Sequence, residues 1–177
     1  MGLDMMIFRT PRIGNYEYRD FVAVEYWFDL QAYKKKHPEY KKGMDDWCGM
    51  KKPSQSLLNK MKGHEDEDFV HEVAYWRKAN AIHKWFVDNV QDGEDDCQAH
   101  RELTKQDLET LHDLCVKVKD DPDMAKELLP RQEGFFFGDT NYDDWYFEDI
   151  DNTIGQLDEL LADHDFANYR LYYVSSW

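Results

Sequence analysis

Both ends of this chain carry strand chemistry, and that constrains everything between them. Met5-Met6-Ile7-Phe8 is a short apolar run closed by Thr10-Pro11, and Asn168-Tyr169-Arg170-Leu171-Tyr172-Tyr173-Val174 is rich in aromatic and branched residues. A lone strand leaves its backbone groups unpaired, so two terminal strands are most simply satisfied within one sheet. The pattern between them is mostly helical. The expected fold is therefore α+β, with three to four helices packed on a small antiparallel sheet formed by the N- and C-terminal strands. At 177 residues, 42% of them hydrophobic, the chain can bury one core, and a single domain over residues 1–177 is expected.

Apolar spacing sets the expected helices. One helix is expected over about Glu67 to Val90, ended by Gln91-Asp92-Gly93. A second starts at Thr104, where Thr-Lys-Gln-Asp resembles a capping box with Asp in place of Glu, and runs to about Lys119. A short turn of helix spans Pro122 to Leu129. The last long helix follows Gly138-Asp139-Thr140, with Asp139 and Thr140 as caps, and carries Trp145, Tyr146, Ile150, Ile154, Leu157 and Leu161. Asp20 to Trp27 fits helix and strand equally, and Asp45 to Lys62 is irregular with at most a short helix at Ser54 to Met61.

Charge excludes several functions. Lys and Arg number 22 against 37 Asp and Glu, a formal charge of -15, which opposes nucleic acid and anionic membrane unless the cations are gathered locally. No run approaches the length of a membrane span, and Met1-Gly2-Leu3-Asp4 lacks the basic and apolar regions of an export signal, so a cytosolic chain is expected. Cys48, Cys97 and Cys115 are expected as free thiols.

One stretch sets cations among aromatic rings. Tyr75-Trp76-Arg77-Lys78-Ala79-Asn80-Ala81-Ile82-His83-Lys84-Trp85-Phe86 holds aromatic rings, three cations, an Asn and a His. On a helix of about 100° per residue, Phe69, Val73, Trp76, Ala79, Ile82, Phe86, Val87 and Val90 form one apolar face. Asn80 and His83 fall inside that face, and Arg77 and Lys84 stand together at its edge. Trp76, Ile82 and Phe86 then serve the core, with His83 a buried imidazole bonded to a carbonyl or a ligand contact. Stacking planes beside fixed cations are what a phosphate-bearing base requires, so the expected ligand-binding residues are Tyr75, Trp76, Arg77, Lys78, Asn80, His83 and Lys84.

Other chemistry is sparse. The chain has no phosphate loop, dinucleotide fingerprint, zinc-protease helix or serine-nucleophile elbow, so no catalytic residue is assigned and no cofactor is expected. Cys97-x-x-His100 and His112-x-x-Cys115 have zinc-like spacing, but Cys115 lies on an apolar stripe with Leu108, Leu111 and Val118 and is better explained as core. Asp144, Glu148 and Asp151 fit a solvated helix face better than a metal site. The runs Glu65 to Asp68 and Asp92 to Asp96 fit solvated loops. The glycines and rings of Gly134-Phe135-Phe136-Phe137-Gly138 fit a tight approach to the last helix, a pocket wall or a subunit contact.

Tyr75 to Gly93, Glu127-Leu128-Leu129-Pro130, Gly134 to Gly138, the ending Tyr173-Val174-Ser175-Ser176-Trp177 and the start Met1 to Met5 together resemble a widespread family of small bacteriophage proteins. The likeness covers about residues 67 to 177 and the first few; Arg12 to Gly63 departs from it. It implies a phage protein acting in the cytoplasm of an infected bacterium. Small phage proteins without a catalytic signature often oppose host defence. The implied function is a non-enzymatic counter-defence protein, a homo-oligomeric sponge that binds a small nucleotide signal, such as a cyclic oligonucleotide, and sequesters it for immune evasion. In that role Arg77, Lys78 and Lys84 contact phosphates, Trp76 or Tyr75 stacks on a base, and Asn80 and His83 read base edges, in a pocket at a subunit interface. Two alternatives stand beside it: an acidic nucleic-acid mimic or protein-binding inhibitor of a host factor, and a metal-dependent nucleotide-processing enzyme.

Overall fold

The computed structural model describes residues 2–97, 100–134 and 137–177. The chain divides into two compact units, Met1–Arg9 with Glu72–Trp177, and Thr10–His71. Its fold is α+β, with seven helices among the described residues and a four-stranded antiparallel sheet that includes both terminal strands.

The larger unit holds the sheet. Strand β1 is Asp4–Pro11, its last two residues falling in the smaller unit, and β2 is His71–Arg77. Helix α4, numbered after three helices of the smaller unit, follows at Asn80–Val90; β3 is Arg101–Leu103 and β4 is Tyr169–Ser176. The strand order is β2-β1-β4-β3. β3 runs antiparallel to β4 with Arg101 opposite Tyr173 and Leu103 opposite Leu171. On β2 the Gln156 side chain stands in for a neighbouring strand. Its Oε1 accepts the Tyr75 backbone N–H at 2.7 Å and its Nε2 donates to the Tyr75 carbonyl at 3.1 Å.

The single helix expected over Glu67 to Val90 is corrected to a strand, a turn and a helix. In β2, Ala74 and Trp76 are buried while Tyr75 and Arg77 are exposed, the two-residue period of a strand. Lys78 then takes a φ of 60°. Ala79 follows at φ -73 and ψ 68, and the Asn80 N–H reaches the Lys78 carbonyl at 2.8 Å, an inverse γ-turn. The chain reverses there, so Arg77 and Lys84 lie on different elements rather than on one helix edge. β3 was also not expected, because three residues carry too little periodicity to register.

Helix α5, Lys105–Asp120, begins where the capping box predicted: Thr104 Oγ1 accepts the Asp107 N–H at 3.2 Å and Asp107 accepts the Thr104 N–H at 2.8 Å. A short turn at Pro122–Met124 leads into α6, Ala125–Leu128. Helix α7, Asp144–Asp163, is capped by Asp143, whose Oδ1 accepts the Tyr146 N–H at 3.2 Å, and not by Asp139 or Thr140. α5 and α7 pack along each other through Leu108, Leu111, Cys115 and Val118 on one side and Ile150, Leu157 and Leu160 on the other. Each such side chain withdrawn from water contributes roughly 1.5–3 kcal/mol. Beneath them Phe86 and Tyr173 stack with centroids 4.0 Å apart, and the Trp76 indole N–H donates to Thr153 Oγ1 at 2.9 Å.

The smaller unit contains α1, Tyr18–Lys36, α2, Met44–Cys48, and α3, Gln55–Lys60. The ambiguous segment Asp20 to Trp27 is thus helical. Phe21 and Val24 are drawn into a core with Leu57, Met61 and Phe69. Glu25 ties α1 to the end of the unit, accepting the N–H groups of Phe69 and Val70 at 2.6 and 2.9 Å. Ser54 caps α3. None of Cys48, Cys97 and Cys115 is in a disulfide, and among the described residues no helix is long and apolar enough to cross a membrane.

Candidate functional site

Charge is distributed unevenly between the units. The larger one has 26 acidic against 11 basic residues, a difference of 15 that accounts for the whole net charge of -15. Three of those eleven cations, Arg77, Lys78 and Arg131, line a single cleft of about 350 Å³ with Gly138, Asp139, Trp145 and Asp149.

Each wall has a local cause. Arg77 ends β2, where strand alternation turns it outward. Lys78 occupies the left-handed turn that follows, held by a 2.8 Å bond from its N–H to the Leu3 carbonyl. Gly138, at φ 88, passes close to it, since a Cβ there would stand 3.8 Å from Lys78 Cβ. Gly134 has the same need in sharper form. A Cβ would fall 2.4 Å from the Phe137 ring, which is buried on the edge of His83 with centroids 5.1 Å apart. The loop is thus plugged into the core at Phe137; Phe135 and Phe136 lie outside the described residues.

Arg131 is the most constrained member. Its side chain is only 6% exposed. The Tyr142 hydroxyl accepts its backbone N–H at 3.1 Å, Tyr146 donates to the Leu129 carbonyl at 2.9 Å, and the Tyr146 ring lies 5.1 Å beneath the guanidinium. Nη1 donates to the Asp139 carbonyl at 2.9 Å, and Nη2 approaches Asp143 at 3.6 Å. Nε has no hydrogen-bond partner among the described residues. A guanidinium carries five N–H donors, so this one is desolvated with donors to spare. Arg77 and Lys78 pair with no carboxylate among the described residues, unlike Lys84, Lys105 and Lys119, which all do.

Trp145, also lining the cleft, is 73% exposed, the most exposed of the large hydrophobic side chains among the described residues. Asp149, one turn along α7, is half-buried, and burial pushes its carboxyl up to about 6 against the opposing pull of Arg131, with Glu148 and Asp143 adding to the rise. The cleft therefore offers an anion three cations and a flat aromatic face, beside the two carboxylates of Asp139 and Asp149.

The expected ligand residues separate into three groups. Arg77 and Lys78 belong to the cleft. Trp76, Asn80 and His83 are buried in the interior; Asn80 Nδ2 donates to the Phe137 and Asp139 carbonyls at 3.0 and 2.9 Å. His83 bonds the Tyr173 hydroxyl at 2.7 Å rather than a carbonyl, with Nε2 3.1 Å from Asp95. Tyr75 and Lys84 stand elsewhere on the surface. The Tyr75 hydroxyl bonds Asp4, and Lys84 pairs with Asp88 at 2.7 Å in a separate hollow of about 220 Å³. Sequence reasoning missed Arg131, Trp145 and Asp149. The one available signal was Arg131 itself, an isolated cation between Pro130 and the glycine-bounded aromatic run.

Comparison with models of known protein families, with curated proteins and with solved structures finds no match to this chain. Among the described residues no group of three His, Cys, Asp or Glu is placed to hold a metal ion, and Cys115 lies in the core.

Proposed function

We propose that the chain binds a small nucleotide in the cleft of Arg77, Lys78, Arg131 and Trp145 and holds it without turning it over. The observation that carries this reading is the desolvated Arg131 guanidinium, with unused donors, lining one cleft with an exposed indole and two unpaired cations in an acidic unit. Burying a guanidinium with unmet donors costs free energy, and an oxyanion recovers it. Arg131 gives fixed, directional donors, Arg77 and Lys78 supply mobile positive charge at the rim, and Trp145 offers the stacking plane. The volume falls in the usual range for small-ligand sites. Together with the phage resemblance, this chemistry supports a counter-defence sponge that sequesters a cyclic nucleotide signal in the infected cell, with copies of the chain assembled as a homo-oligomer.

The test is calorimetry and thermal shift against cyclic di- and trinucleotides, followed by denaturation and chromatography of the released ligand. Binding with ligand recovered whole, and lost in Arg131→Gln, is the expected result. Ligand converted during the incubation would make the chain an enzyme. An absence of binding would shift the reading to the second one, an acidic surface that occupies a basic host protein, which the concentration of all the net charge in the larger unit favours.

A further inference from the structure

Trp145 and Asp149 are four residues apart on α7, and side chains at that spacing stand about 5–6 Å apart on one face of a helix. Both line the cleft together with the three cations. A base stacked on the Trp145 indole with its phosphate toward Arg131, Arg77 and Lys78 has an edge within reach of the Asp149 carboxylate. Resting on the nucleotide-binding reading above, we infer that Asp149 selects guanine over the other bases.

The argument is one of donor and acceptor matching. An ionised carboxylate accepts hydrogen bonds and donates none. Guanine presents two adjacent donors on its pairing edge, N1–H and the N2 amino group, which match the two oxygens of one carboxylate. Adenine offers its N6 amino group beside the N1 lone pair, cytosine its N4 amino group beside the N3 lone pair, and uracil a single N3–H between two carbonyls. Each of these three sets at least one lone pair against the carboxylate. A site built to hydrogen-bond its ligand rejects an analogue lacking the donors, because its own polar group is then left unmet.

The alternative role for Asp149 is to balance the charge of Arg131. Asp139 and Asp143 already approach that guanidinium, the former at 4.0 Å and the latter at 3.6 Å. A balancing role is indifferent to the base, so base selectivity separates the two. The raised carboxyl gives a second readout. The charged groups around Asp149 are Arg131 after α6, Asp139 in the loop, Asp143 at the helix cap, Glu148 on α7 itself, Arg77 at the end of β2 and Lys78 in the turn after it. As the carboxyl takes up a proton near 6, it gains a donor beside its remaining acceptor and matches adenine as well.

The experiment is calorimetric titration of the full chain with cyclic di-GMP and cyclic di-AMP, and with GMP and AMP, in wild type and Asp149→Asn. At about pH 7.5 the guanine ligands are expected to bind about tenfold or more tightly than the adenine ligands. That preference is expected to shrink to about twofold in Asp149→Asn, and in wild type at about pH 5. Equal binding of the two bases, or a preference for adenine, overturns the inference and leaves nucleotide binding standing. Binding of neither overturns both. A preference that survives in the variant, or at low pH in wild type if the variant does not fold, also overturns the role of Asp149.

Discussion

Asn80 and Arg131 share one acceptor: the Asp139 carbonyl receives Asn80 Nδ2 at 2.9 Å and Arg131 Nη1 at 2.9 Å. A buried amide on α4 therefore fixes the loop that orients the guanidinium of the cleft. Asn80→Ala deletes a bond to the buried Phe137 carbonyl, a loss worth about 1–3 kcal/mol where the acceptor stays dry, and a second to the Asp139 carbonyl, which keeps its bond from Arg131. We expect a destabilisation of about 2–4 kcal/mol in urea unfolding, together with weaker nucleotide binding, although Asn80 touches no ligand.

Arg131 and Lys84 give opposite expectations. Arg131→Gln removes the desolvated charge and should weaken nucleotide binding by about tenfold or more. Lys84→Ala, which breaks a pair with Asp88 outside the cleft, should leave affinity within about twofold. Calorimetry on both variants checks this, and an effect of Lys84 as large as that of Arg131 would place the site elsewhere.

Asp149 should make the unliganded protein less stable at neutral pH. Its folded-state value, about 6, lies above the ordinary 3.8, so the folded state holds the proton more tightly than the unfolded chain does. The contribution to stability is complete below about 3.8 and is lost as pH rises through about 6. Asp149→Asn should therefore raise the melting temperature at neutral pH, with the gain fading toward pH 4, in thermal melts across that range. A charge kept where it costs stability is the kind of local conflict expected at a binding site.

His83 behaves in the reverse sense. Burial lowers its value below the ordinary 6.5, while Asp95 at 3.1 Å pulls it back up. With the folded value depressed, the unfolded chain takes up the proton first, so stability is complete above 6.5 and declines as pH falls below it. His83→Gln should flatten that part of the acid unfolding profile followed by circular dichroism.

Cys115 is buried, and burial pushes its thiol up to about 12, whereas Cys48 and Cys97 are half-buried. Under native conditions a thiol reagent should leave Cys115 unmodified and react at the other two, with Cys115 modified only after denaturation, as mass spectrometry of the labelled peptides would show.

Much of the architecture was legible because local signals agreed with the fold. Thr104 and Asp107 announce α5, the apolar stripe of Ile150, Leu157 and Leu161 marks α7, and the branched and aromatic ends mark β1 and β4. The misreading of Glu67 to Val90 has a specific origin. Val73, Trp76 and Ala79 fit helical spacing, while Ala74 and Trp76 fit alternation, and the break falls at a lysine with φ 60° where no glycine or asparagine signals a left-handed turn. The cleft was half legible for a different reason. Arg77 and Lys78 stood out by contrast with an acidic chain, but Arg131, Trp145 and Asp149 join them only through tertiary folding, and nothing near Trp145 or Asp149 in the sequence marks them.

The Gln156 side chain that occupies Tyr75 also bears on the margin of the sheet. The sheet ends on one side at β2, where Gln156 already takes the Tyr75 N–H and carbonyl. At that point the edge is closed to another chain's strand, which works against edge-to-edge polymerisation and capture of extended peptides along β2. Gln156→Ala, by reopening the ladder at Tyr75, is the substitution that would expose the fold to strand-mediated aggregation.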